Sequence, residues 1–176
     1  RGVDAAAHRA ALPTGTVAFL FTDIEGSTKL VSHIGDEAYG ELLAVERRLV
    51  LDAATAAGGV PFGSEGDAHF VAFTSAGAAL RGAVAAQRAL AGHAWPEDAT
   101  IVVRMGIHAG EARIVDGDYV GYEVHRAARV AAAANGGQVL VSGPARALVG
   151  DLGEGIALRD LGEHALKDVA APERLY

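Results

Sequence analysis

Asp23, Asp67 and Arg129 stand where their residue types and spacing could act on a phosphate ester. In FLFTDIEGST, residues 19–28, an apolar run ends in Asp23, followed by Glu25 and then Gly26, Ser27 and Thr28. An acid at a strand end beside a helix start, whose first N–H groups lack partners, suits a phosphate carried by a divalent metal. The plainer reading is helix capping, for which Asp, Ser and Thr are common residues. Asp67 follows Gly66 in VPFGSEGDAHFVAF, residues 60–73, between two short apolar segments. Alone it reads as a turn former. Paired with Asp23 it gives two carboxylates able to hold one or two Mg²⁺ ions for an in-line displacement at phosphorus.

The third stretch is VGYEVHRAARVAAA, residues 120–133. His125 and Arg129 are one helical turn apart and share a face. The fork of Arg129 suits phosphate oxygens, and the alternative is a surface arginine beside a solvated histidine. Arg126, on the next face, reads as an ordinary surface residue. Lys167, in HALKD, is a phosphate cation or a solvated lysine. Other motifs are excluded. GSTK, residues 26–29, lacks the rest of a Walker A loop, the histidines show no metal-ligand spacing, and no G-x-S-x-G elbow occurs.

These residues need elements to hold them. Thr16–Phe21 reads as a strand buried on both faces. Helical patterns follow from Gly26 to Ile34 and from Asp36 to Ala57, the second with Leu42, Leu43, Val45, Leu49 and Val50 as its apolar face and Gly58-Gly59 as its stop. Residues 60–73 carry hairpin chemistry. Residues 76–92 read as an Ala-rich helix, 100–109 as a strand and 116–121 as a loop. Glu123–Ala134 reads as a helix closed by Asn135-Gly136-Gly137, 138–142 as a strand, 144–149 as a short helix and 156–176 as short strand-like pieces. Strands alternating with helices predict a layered α/β or α+β sheet.

The bulk composition limits partners. The 176 residues fit one domain, and with 51% hydrophobic and 21% charged residues it can bury a core. A formal charge of −7 argues against a nucleic-acid partner but permits a small nucleotide held by local cations. There is no cysteine, which removes disulfides and thiolate metal sites and allows a reducing, cytoplasmic setting. No apolar run of membrane-spanning length and no basic-then-apolar leader is seen, so no membrane association is expected. The chain opens on Arg1 and its sole methionine is Met105, so it reads as a piece of a longer protein with further domains.

In order and spacing, LFTDIEGST, EGDAHFVAF, RMGIHAGE, GDYVGYEVHRAARVAAAANGGQVLVS and LGEHALKDVAAPERLY resemble the class III nucleotidyl cyclase catalytic domain of the actinobacterial type. The resemblance covers residues 14–176, leaving 1–13 as a lead-in. It implies a ferredoxin-like α/β sheet acting as a head-to-tail homodimer with active sites at the interface. It assigns two Mg²⁺ or Mn²⁺ ions per site to Asp23 and Asp67, with Ile24 counted to the same centre. It implies a transition-state arginine at Arg129, a transition-state asparagine position held by His125, a triphosphate lysine at Lys167, a phosphate cradle at Gly26, Ser27 and Thr28, and a purine-selecting pair at Gly63 and Asp118. The implied reaction turns ATP into 3′,5′-cyclic AMP and pyrophosphate.

Two departures bear on that expectation. Gly63 stands where adenine-specific members carry lysine, so purine N1 loses its donor. Asp118 remains, able to accept from the adenine 6-amino group and unsuited to guanine O6. His125 replaces asparagine; an imidazole still donates one hydrogen bond and makes activity between pH 6 and 8 depend partly on that residue. The alternatives are a nucleotide-binding regulatory or dimerising module with little catalysis, and a guanylate cyclase.

Overall fold

The computed structural model describes residues 11–176; residues 1–10 of the expected lead-in lie outside the described residues. Strand β1 (Gly15–Ile24) is buried on both faces, as its unbroken apolar run requires. Val17, Phe19 and Phe21 enter one core and Ala18, Leu20 and Ile24 the other. Helices α1 (Ser27–Ile34) and α2 (Asp36–Ala56) lead into the hairpin of β2 (Val60–Glu65) and β3 (Ala68–Phe73), and α3 (Ala76–Gly92) returns the chain to β4 (Val103–Val115). These strands lie in the order β2-β3-β1-β4, each pair antiparallel. That order, for a β-α-β-β-α-β run, is the expected ferredoxin-like arrangement. Helices α2 and α3 cover one face over Leu20, Val50, Val71, Phe73 and Leu80.

The second half departs from the sequence reading in two places. Strand β4 does not stop at Ala109 but continues to Val115, because EARIV alternates exposed and half-buried residues along an extending hairpin. Residues 118–120, expected in a loop, form β5 (Asp118–Val120), with Tyr119 opposite Ile114. Tyr119 secures this short strand. Its ring is buried, its hydroxyl donates to the Pro13 carbonyl at 2.7 Å, and burial pushes its pKa up to about 12. The end of the lead-in is therefore packed on the fold, with Pro13 buried. Helix α4 (Tyr122–Ala132) covers the other face of the sheet. Strand β6 (Val139–Val141) runs parallel to β4, and α5 (Gly143–Leu148) follows, capped by Ser142. The tail supplies the expected short strands, β7 (Gly162–His164) and β8 (Glu173–Leu175). Among the described residues no helix is long and apolar enough to cross a membrane.

RMGIHAGE explains how α4 comes so close. With strand period two, Gly106, His108 and Gly110 face the helix. A Cβ on Gly106 would stand 2.2 Å from the Ala131 nitrogen, and one on Gly110 would stand 2.4 Å from a Glu123 carboxylate oxygen. His108, fully buried between them, donates or accepts at 2.7 Å to Ser142 Oγ through Nδ1 and meets Glu123 Oε2 at 2.5 Å through Nε2.

Burial pulls the His108 pKa below its ordinary 6.5; the Arg126 charge adds to this, while Glu123 works in the opposite direction. The unfolded chain therefore takes up this proton before the folded chain does. Stability is full above about pH 6.5 and declines as pH falls below that value. Thermal midpoints measured from pH 8 down to 5 should fall on the acid side, with a shallower slope in His108→Gln. Equal slopes would contradict the assignment.

Candidate active site

Asp23 does not emerge beyond β1; it sits on the strand's last turn of pleat, half-buried, in register with Arg104 of β4. Arg104 Nε donates to Asp23 Oδ2 at 3.0 Å, and Nη2 reaches the same oxygen. Sequence reading gave Arg104 no role. The two residues lie 81 positions apart, and only the β1–β4 register makes them neighbours. Thr22 pairs with His69 across β1 and β3, and the His69 N–H donates to Thr22 Oγ1 at 3.3 Å. Asp23 and the turn residue Asp67 thus lie at the same end of the sheet.

Asp67 is half-buried, and Tyr39 of α2 donates to its Oδ2 at 3.5 Å. Burial, then the Asp67 charge, pushes the Tyr39 pKa up to about 12. Below this contact lies a pair that the sequence did not reveal. Glu46 Oε2 and His69 Nε2 are 2.9 Å apart and all but sealed from water, with Glu46 Oε1 and His69 Nδ1 left without partners. Glu46 of LLAVERRLV is buried, while Leu42, Leu43, Val45 and Leu49 of the expected apolar face are only half-buried. The pair ties α2 to the strand that carries Asp67.

The start of α1 settles one alternative. Its cap is Gly26 in the left-handed region at φ 70°, with no side-chain cap, so Asp23, Ser27 and Thr28 are not capping residues there. Ile24 is buried, so only its main-chain carbonyl could serve a metal centre.

Gly63, Asp118 and His125 are brought together by one cavity of about 530 Å³, walled by Phe21, Phe62, Phe70, Tyr119, Val124 and Ala128. A Cβ at Gly63 would lie 3.1 Å from the Phe70 ring, so that a side chain there needs the ring to give by a few tenths of an ångström. A second cavity of about 290 Å³ shares Phe21, Glu65, Phe70 and Ala128 with the first and contains Asp23. Together they form a cleft between the β2–β3 hairpin and α4.

Arg129 is not among the residues lining either cavity. Its guanidinium donates to Asp168 Oδ2 at 2.7 Å, beside Lys167 in the loop between β7 and β8. Arg126 corrects the sequence reading. It is not an ordinary surface residue: it is largely buried and ion-paired to Glu173 and, at 3.6 Å, to Glu123. Burial opposes its charge, but Glu173 and then Glu123 outweigh it and raise its pKa. Helix α4 is thereby fastened to β4 through Glu123–His108 and to β8 through Arg126–Glu173.

The residues fit a hard divalent cation. Asp23 and Asp67 offer only oxygen, and among the described residues no three His, Cys, Asp or Glu side chains gather into a complete cage. Magnesium and manganese accept one or two carboxylates and complete their shell with substrate phosphates and water.

No family model matches the chain. An uncharacterized protein of Mycobacterium tuberculosis is 37% identical over 164 residues, covering 92% of this chain and 55% of that protein. The chain thus spans about half the length of that curated relative. A Podospora anserina protein named adenylate cyclase is 30% identical, covering 93% of this chain and 10% of that one. A solved structure of Trypanosoma brucei adenylate cyclase in its monomeric state aligns with a TM-score of 0.83 at 27% identity, covering 93% of this chain and 89% of that one. The shared fold, the five ordered motifs and these relatives agree that the chain belongs to the class III nucleotidyl cyclase catalytic-domain family, of the type found in actinobacteria.

Proposed function

We propose that the chain is an adenylate cyclase domain, forming 3′,5′-cyclic AMP and pyrophosphate from ATP as a homodimer. The observation that carries this reading is the cleft itself. An aromatic-walled cavity holding Asp118 and His125 adjoins a second one holding Asp23. In the reaction the ribose 3′ oxygen forms a bond to the α-phosphorus, and the bond from that phosphorus to pyrophosphate breaks.

The base is held by Phe21, Phe62 and Phe70, with the Asp118 carboxylate accepting from the adenine 6-amino group. His125 donates to a ribose or phosphate oxygen. Asp23, Asp67 and the Ile24 carbonyl would hold Mg²⁺ or Mn²⁺, which lowers the pKa of the 3′ hydroxyl and neutralises α-phosphoryl oxygens. Gly26, Ser27 and Thr28 present main-chain N–H groups to phosphate. Lys167 meets the outer phosphates. Arg129, released from Asp168, meets the negative charge that grows at the α-phosphoryl group. Arg104 must yield Asp23 to the cation, and its freed guanidinium stays beside the phosphates.

Purine choice is the direct test. With ATP and GTP supplied together, cyclic AMP should dominate, and Asp118→Asn should lower the cyclic AMP to cyclic GMP ratio about tenfold, because Asn also offers a donor to guanine O6. An unchanged ratio would remove Asp118 from base recognition. A second reading, a nucleotide-binding module with little turnover, rests on Gly63, which gives the purine no side-chain donor. It expects ATP binding without product.

A further inference from the structure

We propose that Asp168 is an internal counter-anion: its carboxylate pairs with Arg129 and competes with the triphosphate for that guanidinium. This rests on the reading of Arg129 as a phosphate-facing residue.

The geometry is local and well anchored. Leu166 to Val169 form a four-residue turn closed by the Val169 N–H on the Leu166 carbonyl at 3.2 Å, with Lys167 and Asp168 at its tip. Leu166 is buried with Val130 of α4 and with Ala134, Leu140 and Leu175, which fixes the turn beside the helix. Asp168 has φ 60°, and with Asp116 it is one of two non-glycine residues at positive φ among the described residues. Glycine suits that conformation best, although aspartate tolerates it better than most. The chain has an acid there, and that acid reaches Arg129 at 2.7 Å.

The charges at this edge of α4 therefore alternate. Arg129 and Lys167 attract the polyphosphate, while Asp168 acts by occupying Arg129. Arg129 is 38% exposed and Asp168 64% exposed, so the pair is screened and easily exchanged. A pair of this strength does not lock the site. It raises the nucleotide concentration needed to fill it and releases Arg129 only to a stronger anion.

The test is calorimetric binding of the α,β-methylene analogue of ATP, with Mn²⁺, to the wild-type chain, Asp168→Asn, Asp168→Gly, Arg129→Ala and the Asp168→Asn/Arg129→Ala double variant. Asparagine and glycine both accept the left-handed conformation, so both single variants should fold. Each should bind the analogue roughly two- to fivefold more tightly at low ionic strength, with the gain shrinking in molar salt. In the Arg129→Ala background the gain should largely vanish. Unchanged or weaker binding in both Asp168 variants would overturn the proposal, as would an equal gain with and without Arg129. Cyclic AMP formation reads the underlying activity separately. Product without tighter binding in the variants sinks the competition alone. Tighter binding without product leaves the competition standing and sinks the enzyme reading.

Discussion

Asp23→Ala and Arg129→Ala proteins, each at least about a hundredfold less active than the wild type, should regain about a quarter of wild-type activity when mixed one to one. The fraction follows from the proposed head-to-tail dimer. Random exchange makes half of the dimers mixed. In a mixed dimer one site carries both defects, and the other draws its aspartate and its arginine from intact partners. Within one chain Arg129 is turned to Asp168 and lies outside the cleft that contains Asp23. In the proposed dimer the arginine that completes a site comes from the partner chain. No recovery, in a mixture shown to exchange subunits, would mean that each chain completes its own site.

Gly106→Val should be the most damaging single change away from the charged residues. A Cβ at Gly106 meets main-chain atoms, 2.2 Å from the Ala131 nitrogen and 2.4 Å from its Cα. Backbone cannot turn aside as a side-chain tip can, so α4 must lift from β4. Overpacking of this kind costs about 3 kcal/mol or more, which lowers the melting temperature of a domain this size by roughly 6 to 12 °C. Any folded fraction should also lose activity, because α4 carries His125 and Arg129. Thermal melting and product formation check the two effects. A variant that melts within a degree of the wild type would contradict the close approach.

The parts of the fold that obey local rules were legible in the chain. The apolar run ending at Phe21 became the central strand, Gly66-Asp67 became the hairpin turn, and the 3.6-residue pattern around His125 became α4. Three-residue β5 was not legible, because DYV looks like loop until Tyr119 is seen buried and bonded to Pro13. Arg126 was misread, and Arg104 and Glu46 were given no role, because their partners lie far along the chain. Arg126 needs Glu173, Arg104 needs Asp23, and Glu46 needs His69. Each such partner is supplied by sheet register or helix docking, which periodicity alone does not encode. Within the site, Asp118, His125 and Gly63 line one cavity, a grouping that their spacing in the chain does not display, whereas Arg129 is turned to Asp168.

The central claim is that this cleft cyclises ATP, and product stoichiometry tests it most directly. Concentrated protein incubated with ATP and Mn²⁺ should release cyclic AMP and pyrophosphate in a one-to-one ratio, with Asp23→Ala as the blank. Equal release above that blank is the expected result. ATP that binds but yields neither product, or yields only inorganic phosphate, would contradict the account.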